Sequence, residues 1–299
     1  MAATPDPAFP ESIHGKTILS TGVSPASLGF ATASALASQK PERLILTGRS
    51  AGKVQAAADE LKSNHPGVKC DVLIMDLSSQ GSLTLSEDGI EISFATNHID
   101  HFLFTNPIIE KLIATPESPQ HPASIVDLAS FSHQFSPIRF SDINFSNKAH
   151  KLPEESPRLQ KAQFSTAVAA KTANILFSIS LNEKLSQYGI RSYAVHPGSV
   201  HTSIGRHSNQ EEVEYAIAMA RELGCSGGTE TREQGANSSD WAAVNPNVPC
   251  VDFSETLVKA AYITDCRVAD EGCADFAKDS VFAERLWKLN EELVRENFL

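Results

Sequence analysis

The feature that most constrains this chain lies near its start. A short apolar strand, Lys16-Thr-Ile-Leu-Ser20, runs into a turn holding Gly22 and Gly29 and then into an alanine-rich helix over 30–39. A strand that feeds a helix through a tight glycine turn folds the helix back onto its sheet and sets the next strand parallel to the first. The unit repeats. A second strand, Arg43-Leu-Ile-Leu-Thr47, leads through Gly48-Arg49-Ser50 into a helix over 52–63, and a third strand covers 69–75. This alternation predicts an α/β fold: a doubly wound parallel sheet with helices on both faces.

The later sequence continues the pattern with a long helix over 86–113, a strand over 123–128, and a loop rich in Ser, Phe and Pro. A helix over 161–188 follows, and a last clear strand, Arg191 to His196, ends in Pro197-Gly198. Amphipathic stretches over 211–223 and 229–244, an irregular region and a closing helix over 279–297 complete it. With no repeat, low-complexity tract or linker, the reading is a flexible tail over 1–14 and a single domain over 15–299, with 206–231 placed to act as a substrate lid.

A hydrophobic content of 41% over 299 residues is ample for a buried core. The net charge of −11 argues against a nucleic-acid partner. Five scattered cysteines with no CxxC pair read as thiols in a reducing compartment. The Pro- and Ala-rich start lacks the marks of a signal peptide, and no apolar run reaches membrane-spanning length. These features point to the cytoplasm.

Thr21-Gly22-x6-Gly29 stands where a phosphate-binding turn belongs, between a strand and a helix N-terminus that offers its N–H groups to a pyrophosphate. Gly22, Ser24, Ser27, Leu28 and Gly29 are therefore candidates to hold a dinucleotide. Ala26-Ser27 replaces the middle glycine and narrows the approach. At the end of the second strand, where an NAD-preferring site offers a carboxylate, this chain offers Arg49 and Ser50. A guanidinium suits a 2′-phosphate, so the expected cofactor is NADP.

Further motifs follow in order: Asp76-Leu77, Phe94-Ala-Thr-Asn97-His98 with His101-Phe102-Leu, Lys171-Thr-Ala-Asn174-Ile-Leu-Phe, and His196-Pro197-Gly198. Together with the turn and Thr47-Gly48-Arg49, this series resembles the short-chain dehydrogenase/reductases, in particular a retinol-dehydrogenase-like and WW-domain-oxidoreductase-like branch common in fungi. The closing Ala283-Glu-Arg-Leu-Trp287 is similar to that branch's ending. The resemblance implies a seven-stranded Rossmann sheet, NADP, a homodimer or tetramer through the two long helices, and redox of a carbonyl or alcohol. It also implies roles for single residues. Asn97 matches the residue that anchors a proton-relay water, and Ser130 the serine that polarises the carbonyl. Lys171 matches the lysine on the nicotinamide ribose, and Thr202 the threonine on the carboxamide. Asp76, Leu77, Pro197 and Gly198 fall on cofactor-contacting positions.

Two departures stand out. The family's tyrosine lies four residues before the lysine, one helical turn away; here that position is Ala167. A positioned general acid is worth about 10² to 10⁴ in rate, so hydride transfer by the family route is expected to be slow. A bound water, Ser165 or His133 is at best a poor substitute. Secondly, the resemblance implies a helix, a fourth strand and an Asn-Asn-Ala-Gly turn after Asp76, yet only residues 77–85 precede the long helix. A crossover needs about 30 residues, so the fourth strand is expected to be missing. Either the first and fifth strands then pair directly, or a later segment fills the gap. NADP affinity depends on the same segment.

His98 and His101 have i, i+3 spacing but no third ligand, so no metal is expected. Phe131, Phe135, Phe140 and Phe145 read as loop packing and Trp287 as core. Three functions remain in view: an NADP-linked oxidoreductase acting on a small hydrophobic carbonyl or alcohol, of secondary-metabolite type, with altered proton transfer; a non-redox catalyst of dehydration, isomerisation or cyclisation of a natural-product-like substrate; and an inactive binding homologue.

Overall fold

A computed structural model of the chain describes residues 13–75, 85–86, 88–114, 123–146, 166–200, 230–259 and 261–299. The chain divides into two compact units, one of Met1–Ile74 with Pro197–Asp240 and one of Met75–His196 with Trp241–Leu299.

In the first unit β1 (Thr17–Ser20), β2 (Arg43–Gly48) and β3 (Cys70–Ile74) form a parallel three-stranded sheet in that order. Helices α1 (Leu28–Ser38) and α2 (Ala51–Asn64) are the crossovers. Ala33 and Ala37 of α1 and Val54, Ala57, Ala58 and Leu61 of α2 bury against Leu44 and Leu46 of β2. Small side chains on α1 let that helix sit close to the strands.

The second unit carries a four-stranded sheet in the order β4 (Ser124–Leu128), β5 (Arg191–Val195), β6 (Tyr262–Thr264) and β7 (Arg267–Val268). β4, β5 and β6 are parallel, and β7 returns antiparallel. The hairpin turn, Asp265-Cys266, has both residues at positive φ, 50° and 55°, the twist that a two-residue hairpin requires. From sequence periodicity alone this stretch is expected to be irregular.

The long helix departs from its expected start at 86. Gly89 at φ +80° and a Leu85–Glu91 bridge make a reversal there. Glu91 then caps the helix through Ser93 and Phe94 N–H. The helix runs Ile92–Phe94, passes through a π turn at Ala95–Ile99, and continues as α3 (Asp100–Ile113). Behind β4 and β5 lies α4 (Thr166–Leu185), buried on nearly every side. Next come α5 (Arg232–Val244) and the closing α6 (Ser280–Val294), which ends at left-handed Arg295.

Among the described residues β1 ladders with β2, and β4 with β5. β1 and β4 each carry an exposed apolar side chain, Leu19 and Leu128. Among the described residues no strand lies between β3 and β4, and residues 76–84 lie outside them.

Candidate active site

In the first unit the glycine turn is built as its residues require. Gly22 sits at φ +65° with open space where a Cβ would point. Gly29 is needed for the opposite reason, since a Cβ there would lie 2.7 Å from the Thr21 carbonyl oxygen. Ser27 caps α1, its Oγ accepting from Phe30 N–H and Ser24 N–H at 3.1 Å each. Ala26 takes up positive φ, 61°, in place of a glycine. Leu28 opens the helix, and its Cδ1 approaches Gly235 of α5. Ser50 precedes α2 as its N-cap but makes no capping bond with its side chain, while Arg49 beside it is exposed. Near Pro197, Gly198 is at φ +81°, and the Glu230 carboxylate lies so close that a Cβ would be 2.0 Å from its oxygen. Asp76, Leu77, Thr202, Ser165 and nearly all of 206–231 fall outside the described residues.

In the second unit Asn97, Ser130 and Lys171 come from three different elements. Asn97 stands in the π turn at Ala95–Ile99; such turns are frequent at functional sites because they re-aim side chains. Ser130, just past β4, accepts from Ser132 N–H at 3.1 Å and starts a short 3₁₀ turn, Phe131–Phe135. Its own hydrogen stays available to donate. Lys171 on α4 donates from Nζ to the Leu128 carbonyl at 2.9 Å. Burial brings this ammonium down to about 8, against the opposing pull of Asp127. Ala167 is half-buried on the same helix one turn earlier.

Asp127 is a functional candidate that sequence reasoning missed, although an acid within the apolar strand Ser124-Ile-Val-Asp-Leu was a readable signal. It accepts from Ser178 Oγ at 2.9 Å, and burial pushes it up to about 6. His133 does not serve as a substitute acid. Its Nδ1 donates to the Ser130 carbonyl at 2.6 Å and its Nε2 accepts from Ala274 N–H at 3.1 Å, which fixes it neutral; burial lowers it to about 4. His196 is likewise lowered to about 4 by burial, and its Nδ1 is buried without a partner among the described residues. The phenylalanines pack as expected: Phe131 meets Phe135 edge-on at 5.1 Å, and Arg285 lies over Phe140 at 4.1 Å.

No family model matches the chain. Among characterised proteins, an oxidoreductase of Fusarium equiseti, fscI, is 31% identical over 232 residues, covering 64% of this chain and 90% of that one. The chain belongs to the short-chain dehydrogenase/reductase family. Human retinol dehydrogenase 14 is 27% identical over 326 residues, covering 95% of this chain and 88% of that one, which matches the branch read from the motifs. A 3-oxoacyl (acyl-carrier-protein) reductase from Agrobacterium tumefaciens C58, solved with NADP bound, superposes with a TM-score of 0.54 at 17% identity, over 78% of this chain and 89% of that one. That likeness carries the Rossmann-like fold. Within this short-chain dehydrogenase/reductase, the motif residues Asn97, Ser130 and Lys171 lie in one unit and the glycine turn with Arg49 in the other. Among the described residues no helix is long and apolar enough to cross a membrane. None of Cys70, Cys250, Cys266 and Cys273 forms a disulfide.

Proposed function

We propose that the chain is an NADP-linked oxidoreductase of a small hydrophobic carbonyl or alcohol in the cytoplasm, in which Lys171 takes over the proton transfer of the missing phenol. The cofactor reading is supported by the residues themselves. The α1 N-terminus and open Gly22 suit a pyrophosphate, and the exposed Arg49 beside α2, whose N-terminus Ser50 leaves uncapped, suits a 2′-phosphate. When bound, the reduced nicotinamide supplies a hydride. Ser130 Oγ–H donates to the substrate oxygen, and Lys171 passes it the proton that completes the alcohol. The observation that carries this reading is the half-buried Lys171 ammonium, which desolvation brings down to about 8, one turn after Ala167. An ammonium has three hydrogens, and the Leu128 carbonyl takes only one.

A fluorescence titration with NADPH and NADH tests the cofactor. NADPH binds at least tenfold more tightly, and Arg49→Ser removes most of that preference, about 1.4 kcal/mol per decade. Equal affinities, or an unchanged preference in Arg49→Ser, reject it. The pairing of an ammonium near 8 with a carboxyl near 6 also suits proton transfer without hydride, as in an isomerisation. Substrate turnover with constant NADPH absorbance selects that second reading.

A further inference from the structure

We propose that Asn290, His98 and Asn174 are positioning residues: a buried hydrogen-bonded string that holds the Leu128 carbonyl and, through it, orients Lys171 from the closing helix. This rests on the reading of Lys171 as the proton donor.

The bond directions follow from the partners. Lys171 Nζ and Asn174 Nδ2 both donate to the Leu128 carbonyl, at 2.9 and 3.0 Å. Because Asn174 spends its N–H there, its Oδ1 faces His98 Nδ1, at 3.2 Å, as an acceptor. His98 is buried and lowered to about 4, so it is neutral at pH 7, and Nδ1 must be its protonated nitrogen. Its Nε2 is then an acceptor and takes the N–H of Asn290 Nδ2 at 3.0 Å. The string runs Asn290 to His98 to Asn174 to Leu128, from α6 through the π turn of Asn97 into α4 and the end of β4. Bonds in such a chain polarise one another in the same direction. The better Asn174 donates, the less the shared oxygen offers the ammonium, and the more readily Lys171 gives up a proton. The other charged or titratable groups acting on this region are Asp127 from β4, which favours the ammonium, and His101, which burial lowers first and the Lys171 charge lowers further.

The test reads Lys171 directly in the full chain, with neither cofactor nor substrate. Lysine side-chain NMR is followed against pH, with the resonance assigned by Lys171→Arg. The wild-type midpoint lies near 8. His98→Phe, which keeps an aromatic ring without the donor, and Asn290→Leu each raise it by about one pH unit. His98→Asn restores a donor at the Nδ1 position and returns the midpoint most of the way. Leu181→Ala, a cavity in the same helical packing but off the string, leaves it unmoved. An unmoved midpoint in His98→Phe, an equal shift in Leu181→Ala, or no rescue by His98→Asn overturns the proposal. A chain that shows this pattern yet never oxidises NADPH keeps the string and loses the redox reading. NADPH oxidation with an unmoved midpoint does the reverse.

Discussion

Lys171 and Asp127 approach each other in acidity from opposite sides, because burial disfavours the charged form of each. Carbonyl reduction through Lys171 needs the ammonium, so its rate falls as pH rises through about 8. A kcat profile with one falling limb near 8 is expected, its midpoint belonging to the coupled Lys171–Asp127 pair. A profile flat through pH 8 removes Lys171 from the proton transfer. At Ala167, restoring the phenol by Ala167→Tyr raises NADPH-dependent reduction at least tenfold; an unchanged rate in a folded variant means that the hydride geometry, and not the acid, is limiting. Lys171, Ser130 and Asn97 stand out in the sequence as candidates because they sit in ordered motifs. Asn290 was not: it meets His98 across 192 positions, and no local pattern announces such a pairing.

Elements were legible where their signal is local and long enough. β1, β2 and β3 with their glycine turns and crossovers were read to within a residue or two, since apolar strands alternate there with helices of clear period. β6 and β7 escaped, because Tyr262–Thr264 and Arg267–Val268 are too short to show a period of two. The start of the long helix differs from the expected one because Ser86 and the acids after it in sequence imitate a helix start, while Gly89 turns the chain back and hands the cap to Glu91. The glycine turn makes the clearest prediction at this scale. Gly29→Ala drives a methyl into the Thr21 carbonyl and is expected to cost about 1–3 kcal/mol. Urea denaturation reads the loss, and a parallel titration shows NADPH affinity falling with it. A fully stable Gly29→Ala variant with intact binding means that α1 does not need its close seat on β1.

For the molecule as a whole, acid is the weakness. Burial holds His98, His101, His133 and His196 near 4, well below the ordinary histidine value of 6.5. The unfolded chain therefore binds more protons between those values. The stability from neutral burial is complete above 6.5 and is lost as pH falls toward 4. For a fully buried ring such as His98 this is on the order of 3 kcal/mol. Thermal unfolding followed from pH 7 to pH 4 should show a steep drop, shallower in His133→Gln; a midpoint constant over that range contradicts the neutral burial of these rings. The hairpin closing the four-stranded sheet bears on how copies of the chain meet. Its outer strand is two residues long, and Arg267 on it pairs with Glu271. Another molecule's backbone finds almost no template on that margin, so fibre-like accretion cannot begin from there.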